Sequence, residues 1–200
     1  MRSAKAILIW VALAGALCVP IAAAAASPLH QWRNAIYIVA GLAEIVALGL
    51  MLVQPLLIGG YLPGPSPQRR RRAHQWIGGV LVMAVVIHVG GFLIASPPDA
   101  IDALLFRSPA PFSAWGVIAM WAIFAVALLA ALRRRLGPRR WRAAHMVLAV
   151  VIVVGSVVHG LLIEGTMETM SKAALCALVL LATIKVIADL RVWRKQATSR

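Results

Sequence analysis

Two pairs of histidines carry the chemistry that this chain's residue types permit. His145 and His159 bracket an apolar run and lie fourteen residues apart; His74 and His88 repeat the arrangement at the same spacing. On a helix, fourteen steps of about 100° return to within roughly 40° of the start, so each pair shares one face. At about 1.5 Å per residue, the two rings of a pair stand roughly 21 Å apart along the axis. If the two helices face each other, His74 meets His145 at one level and His88 meets His159 at the other. Neutral imidazole is the commonest protein metal ligand. Two levels of facing imidazoles, most of a bilayer apart, are what two stacked bis-histidine haems require.

The elements that position these histidines are transmembrane helices. The chain has 200 residues, 62% of them hydrophobic and only 13% charged, which lies far outside soluble composition. Apolar runs of about twenty residues match a roughly 30 Å hydrocarbon core. The expected fold is all-α, a polytopic membrane bundle of six transmembrane helices forming a single domain over residues 1–200. The expected spans are 6–26, 34–58, 73–95, 113–132, 143–163 and 173–189. The first, after Arg2 and Lys5 and ending in a run of alanines, is read as a retained helix, although its pattern also fits a secretory signal.

The net charge of +14 would point to nucleic acid in a soluble protein. Here it is a topology signal, and no nucleic-acid partner is expected. Sixteen of the twenty Lys and Arg fall in the N-terminus, Arg69–Arg72, Arg133–Arg142 and the tail after Leu190. By the positive-inside rule those segments face the cytoplasm and both termini lie inside. The setting is a bacterial-type inner membrane. His74 and His145 then form the inner level and His88 and His159 the outer one. Cys18 and Cys176 sit in separate spans without CxxC spacing, which suggests buried, inert thiols and neither a zinc site nor a redox dithiol.

A single intramembrane histidine has an ordinary role as a hydrogen-bonding residue between helices. The joint pattern is harder to explain that way, because all four fall into two pairs of equal spacing and none is left over. Small residues on or near the ligand stripes, Gly78 and Ala149 at the inner level and Gly90, Gly91 and Gly160 at the outer, would let a flat macrocycle approach the backbone. Small residues also line ordinary helix contacts in membranes. Glu44, near the middle of span two, is a functional candidate by its depth, or else a hydrogen-bonded structural carboxylate. Arg72 and Arg142 are candidates to pair with haem propionates, or mark topology alone. Asp99, Asp102, Glu164 and Glu168 read as solvated loop acids. A histidine-lined metal transporter is the rival chemistry; such proteins show broken helices and carboxylates beside the site, and spans three and five have neither between their histidines.

Six spans, a histidine pair on the third and another on the fifth, and the approach Arg139-Arg140-Trp141-Arg142-Ala143-Ala144-His145 resemble the ferric reductase-like transmembrane domain. That family includes the haem-bearing membrane part of NADPH oxidases and iron reductases, and the haem subunit serving the periplasmic methionine-sulfoxide reductase. The resemblance covers nearly the whole chain and implies an oxidoreductase or electron-transfer component. It implies two b-type haems, with His74 and His145 as inner iron ligands and His88 and His159 as outer ones. Large family members continue into a flavin and nicotinamide domain; here no GxGxxG follows a strand, so the donor is expected to be a separate flavoprotein, diffusible FMN or FAD, or a quinol. Two histidines per iron leave no open position, which favours electron transfer over oxygen binding. Electrons would pass from a cytoplasmic-side donor to a periplasmic acceptor. The alternatives are a haem subunit or anchor for a partner reductase, and a quinone-linked cytochrome b in which Glu44 takes part. The basic surface would meet an acidic flavoprotein or anionic membrane lipid.

Overall fold

A computed structural model describes residues 2–165 and 167–198. Among them are seven α-helices and no strand: α1 (Arg2–Ala25), α2 (Ala35–Gly59), α3 (Pro67–Ala95), α4 (Pro97–Leu104), α5 (Pro111–Ala131), α6 (Pro138–Leu162) and α7 (Thr169–Thr198), with a short 3-10 turn over Pro28–Trp32. Six segments are long and apolar enough to cross a membrane: Ala4–Ala25, Ala35–Gly59, Pro67–Ala95, Pro111–Ala131, Pro138–Leu162 and Thr169–Leu190. The chain is a multi-pass membrane protein.

The local signals explain where these helices begin and end. Proline stands at the first positions of α3, α4, α5 and α6, where its missing N–H costs nothing. Ser66 caps α3 by accepting from Arg69 N, and Asn34 caps α2 by accepting from Ile36 N. Gly60, at φ 73°, closes α2 in the left-handed conformation.

The helices run further than the apolar stretches. Arg69–Arg72 and Arg139, Arg140 and Arg142, expected in loops, lie within the first turns of α3 and α6. Arginine is a good helix former, and hydropathy locates the membrane rather than the end of the helix. The expected loop Ser96–Phe112 likewise contains α4.

Two tight helix pairs make the bundle, α2 with α3 and α5 with α6, and α7 bridges α2 and α6. Helices α3 and α6 run in the same direction, since the rings of His74 and His145 meet at one level and those of His88 and His159 at the other. Their backbones scarcely touch, and side chains, the four histidine rings among them, make the approach between the two helices. The core includes Leu48, Met51 and Leu52 of α2, Leu81 and Val85 of α3, Met120 and Ile123 of α5, Ile152 of α6 and Val179 of α7. Helix α1 lies at the edge against α2 and α7. Cys18 on α1 is exposed whereas Cys176 is buried, so only the second thiol matches the buried expectation. The peripheral place of α1 turns Cys18 outward.

At the arginine-rich end, Tyr61 Oη donates to Asp189 Oδ2 at 2.5 Å, and Lys185 Nζ reaches the same oxygen at 3.1 Å. This ties the turn after α2 to α7. Loss of water around the Tyr61 phenol, then its bond to Asp189, push its pKa up to about 12.

Candidate functional site: two facing imidazole pairs

The ring centres of His74 and His145 are 6.2 Å apart, and those of His88 and His159 are 6.3 Å apart. A direct N–H···N bond of about 2.9 Å would bring such centres to roughly 5.1 Å. A metal–nitrogen bond of about 2.0–2.1 Å on each side, plus roughly 1.1 Å from nitrogen to ring centre, puts them roughly 6.3 Å apart. Both pairs therefore stand too far apart to bond each other and at the distance that fits one iron between them.

At the outer level each imidazole is oriented by a backbone carbonyl. His88 Nδ1 lies 3.0 Å from Ala40 O on α2, and His159 Nδ1 lies 2.8 Å from Phe112 O on α5. Taken as donors, these Nδ1–H groups leave Nε2 of each ring as the nitrogen available to a ligand; at His159 that nitrogen meets Glu44 Oε1 instead. Carbonyl oxygens inside a helix are normally covered by the side chain one turn later, and Gly116 stands one turn after Phe112. A Cβ there would come 2.6 Å from His159 Nδ1, so Gly116 forms the notch that admits the ring. A cavity of about 160 Å³ opens beside the pair, lined by both histidines, Glu44, Phe92, Phe112 and Ser156 among others.

Two of the small residues expected to cradle a macrocycle serve helix packing, while Gly160 lines the outer cavity. A Cβ on Gly78 would meet Gln54 Nε2 at 3.3 Å, and one on Gly91 would meet Ala40 Cβ at 2.8 Å, so both face α2. Gly160 faces Cys176 on α7, and a Cβ on Gly90 would meet nothing within 4 Å. Sequence spacing along α3 does not reveal which neighbour each face meets.

Glu44 reaches the site from α2: its Oε1 lies 3.2 Å from His159 Nε2. Ligand atoms of Glu44, His88 and His159 all lie within 4.8 Å of one another. The carboxylate that spans three and five lack is thus supplied by span two. Glu44 also lines a second cavity with Arg33, Tyr37 and Lys172.

The inner level is built differently. Trp141 stacks on His145, with ring centres 5.2 Å apart and planes 17° from parallel. The Nδ1 atoms of His74 and His145, Trp141 Nε1 and Gln54 Oε1 are buried without a hydrogen-bond partner. Buried polar atoms are nearly always paired, so these unpaired groups set the inner level apart from the outer one, where both Nδ1 atoms have carbonyl partners. Gln54 Nε2 donates to His74 O at 3.3 Å; this residue was missed in the sequence, where one amide in a long apolar span carries no signal. Arg72 and Arg142 are exposed near the starts of α3 and α6, two and three residues before the inner histidines. Arg142 Nε donates to Pro138 O of its own helix at 3.1 Å.

With this geometry in hand, the comparison with known families is specific. The model of the ferric reductase like transmembrane component matches residues 45–156, just over half of the chain. The chain belongs to that family of membrane domains, which generally bind haem and serve electron transfer. The matched segment holds His74, His88 and His145, while Glu44 and His159 fall just outside it. No curated protein and no solved structure matches the chain.

Proposed function

We propose that the chain is a transmembrane b-type cytochrome, with His74 and His145 holding an inner haem and His88 and His159 an outer one. The haems would supply reversible one-electron chemistry at two depths of the membrane. The observation that carries this reading is the pair of ring spacings, 6.2 and 6.3 Å, at two levels between α3 and α6. Ala40 O and Phe112 O, by accepting from Nδ1, would keep Nε2 of each outer imidazole for the iron, with Glu44 released from His159. Trp141 fixes the plane of His145 by stacking. Four histidines at two sites leave each iron without an open position, which suits electron transfer.

The donor is a cytoplasmic-side flavoprotein, reduced flavin or quinol, and the acceptor lies on the periplasmic side of a bacterial-type inner membrane. The arginine runs at the starts of α3 and α6 support that orientation. Proteoliposomes with a membrane-impermeant reductant inside and a ferric chelate outside test it. Reduction outside should occur with the haem-loaded protein and cease in His145→Ala and His88→Ala. Equal reduction in the variants would overturn the reading.

The cluster of Glu44, His88 and His159 favours a second reading, a divalent-cation site in a transporter. That reading requires bound metal in protein free of haem. Metal analysis finding iron and haem in equal amounts, and no other metal, rejects it.

A further inference from the structure

The two levels differ in what surrounds the imidazoles. At the outer level both Nδ1 groups donate to carbonyls, at 3.0 and 2.8 Å, and a carboxylate stands 3.2 Å from His159 Nε2. At the inner level both Nδ1 atoms are buried without an acceptor, and the polar group that α2 brings there is the neutral amide of Gln54. An imidazole whose N–H is bonded to an acceptor is the more basic ligand, and a nearby negative charge acts in the same direction. Both stabilise ferric over ferrous iron and lower the reduction potential.

Lys172 opposes this. It is buried at 8% exposure, its Nζ spends one donor on Ile163 O at 2.7 Å, and it lines the same small cavity as Glu44. Once His159 Nε2 is committed to iron it cannot also meet Glu44. The carboxylate then keeps Lys172 as a cationic neighbour across that cavity.

We propose that Glu44 and Lys172 are an opposed pair of positioning residues that set the potential of the outer haem, and that the outer haem lies below the inner one. The inference rests on the two-haem reading above. An electron entering from the cytoplasmic side then rests on the inner level, and the outer level is populated in quantity only when an acceptor outside removes electrons from it. The unequal surroundings hold reducing power inside the membrane until an acceptor arrives.

The test is an optical redox titration of the purified holoprotein, preceded by haem quantitation. His145→Ala and His88→Ala assign the two waves. The expected result is two waves with the outer haem at the lower potential. Glu44→Gln should raise the lower wave, Lys172→Met should lower it, and neither should move the upper one. A reversed order, or variants that move both waves alike or neither, overturns the proposal while leaving two haems in place. Fewer than two haems per wild-type chain overturns the two-haem reading and the inference with it. Should Glu44→Gln fail to fold, the order of the waves and the Lys172→Met shift decide the matter.

Discussion

Gly116→Ala is the smallest change that should remove one haem and spare the other. The added Cβ would lie 2.6 Å from His159 Nδ1 and 2.8 Å from Cε1, against an ordinary contact of 3.4 Å or more. The difference, 3.4 − 2.6, requires the ring to move by at least about 0.8 Å. Metal–ligand bonds tolerate only about ±0.2 Å, so the ring cannot make that shift and hold iron in place. The move also breaks the bond to Phe112 O, worth about 0.5–1.5 kcal/mol, and overpacking adds about 1–3 kcal/mol. Together these predict a loss of roughly tenfold to a thousandfold in outer-haem affinity, at about 1.4 kcal/mol per tenfold. The assay is haem per chain by pyridine haemochrome, run with a thermal melt to verify folding. One haem per folded chain is expected. Two haems held as tightly as in the wild type would refute the argument that the Gly116 notch seats His159.

Further predictions concern the packing and the arginine-rich end. Gly155→Leu should destabilise the α5–α6 pair by about 1–3 kcal/mol or more, because even a Cβ there would lie 3.0 Å from Trp115 O and 3.1 Å from Ala119 Cβ; denaturation in detergent measures it. Tyr61, with its pKa raised to about 12, favours folding while its phenol is protonated. That contribution is complete below the unfolded value of about 10 and disappears as pH rises through about 12. Alkaline titration of phenolate absorbance should find one late tyrosine, absent in Tyr61→Phe. Trp141→Ala should leave His145 without its stacking partner and weaken haem retention at the inner level only, as read by haem loss to apomyoglobin in His88→Ala against His88→Ala/Trp141→Ala.

The sequence made legible what depends on period and composition. Fourteen-residue spacing placed His74 with His88 and His145 with His159 on common faces, and apolar length located six spans. Rotation of one helix against another stayed hidden. Nothing in the spacing of α3 indicated that Gly78 and Gly91 face α2, or that Glu44 ends beside His159. Gly116 was invisible for the same reason: its role comes from a carbonyl one turn earlier and a ring from another helix. The extension of α3 and α6 through their arginines was missed because hydropathy reports the membrane and caps report the helix.

The most direct measurement is haem per chain in the purified protein, by pyridine haemochrome with a reduced-minus-oxidised spectrum, beside His88→Ala and His145→Ala. The account predicts two b haems, with one lost in each variant. No haem, or a single haem untouched by one of the substitutions, would contradict it.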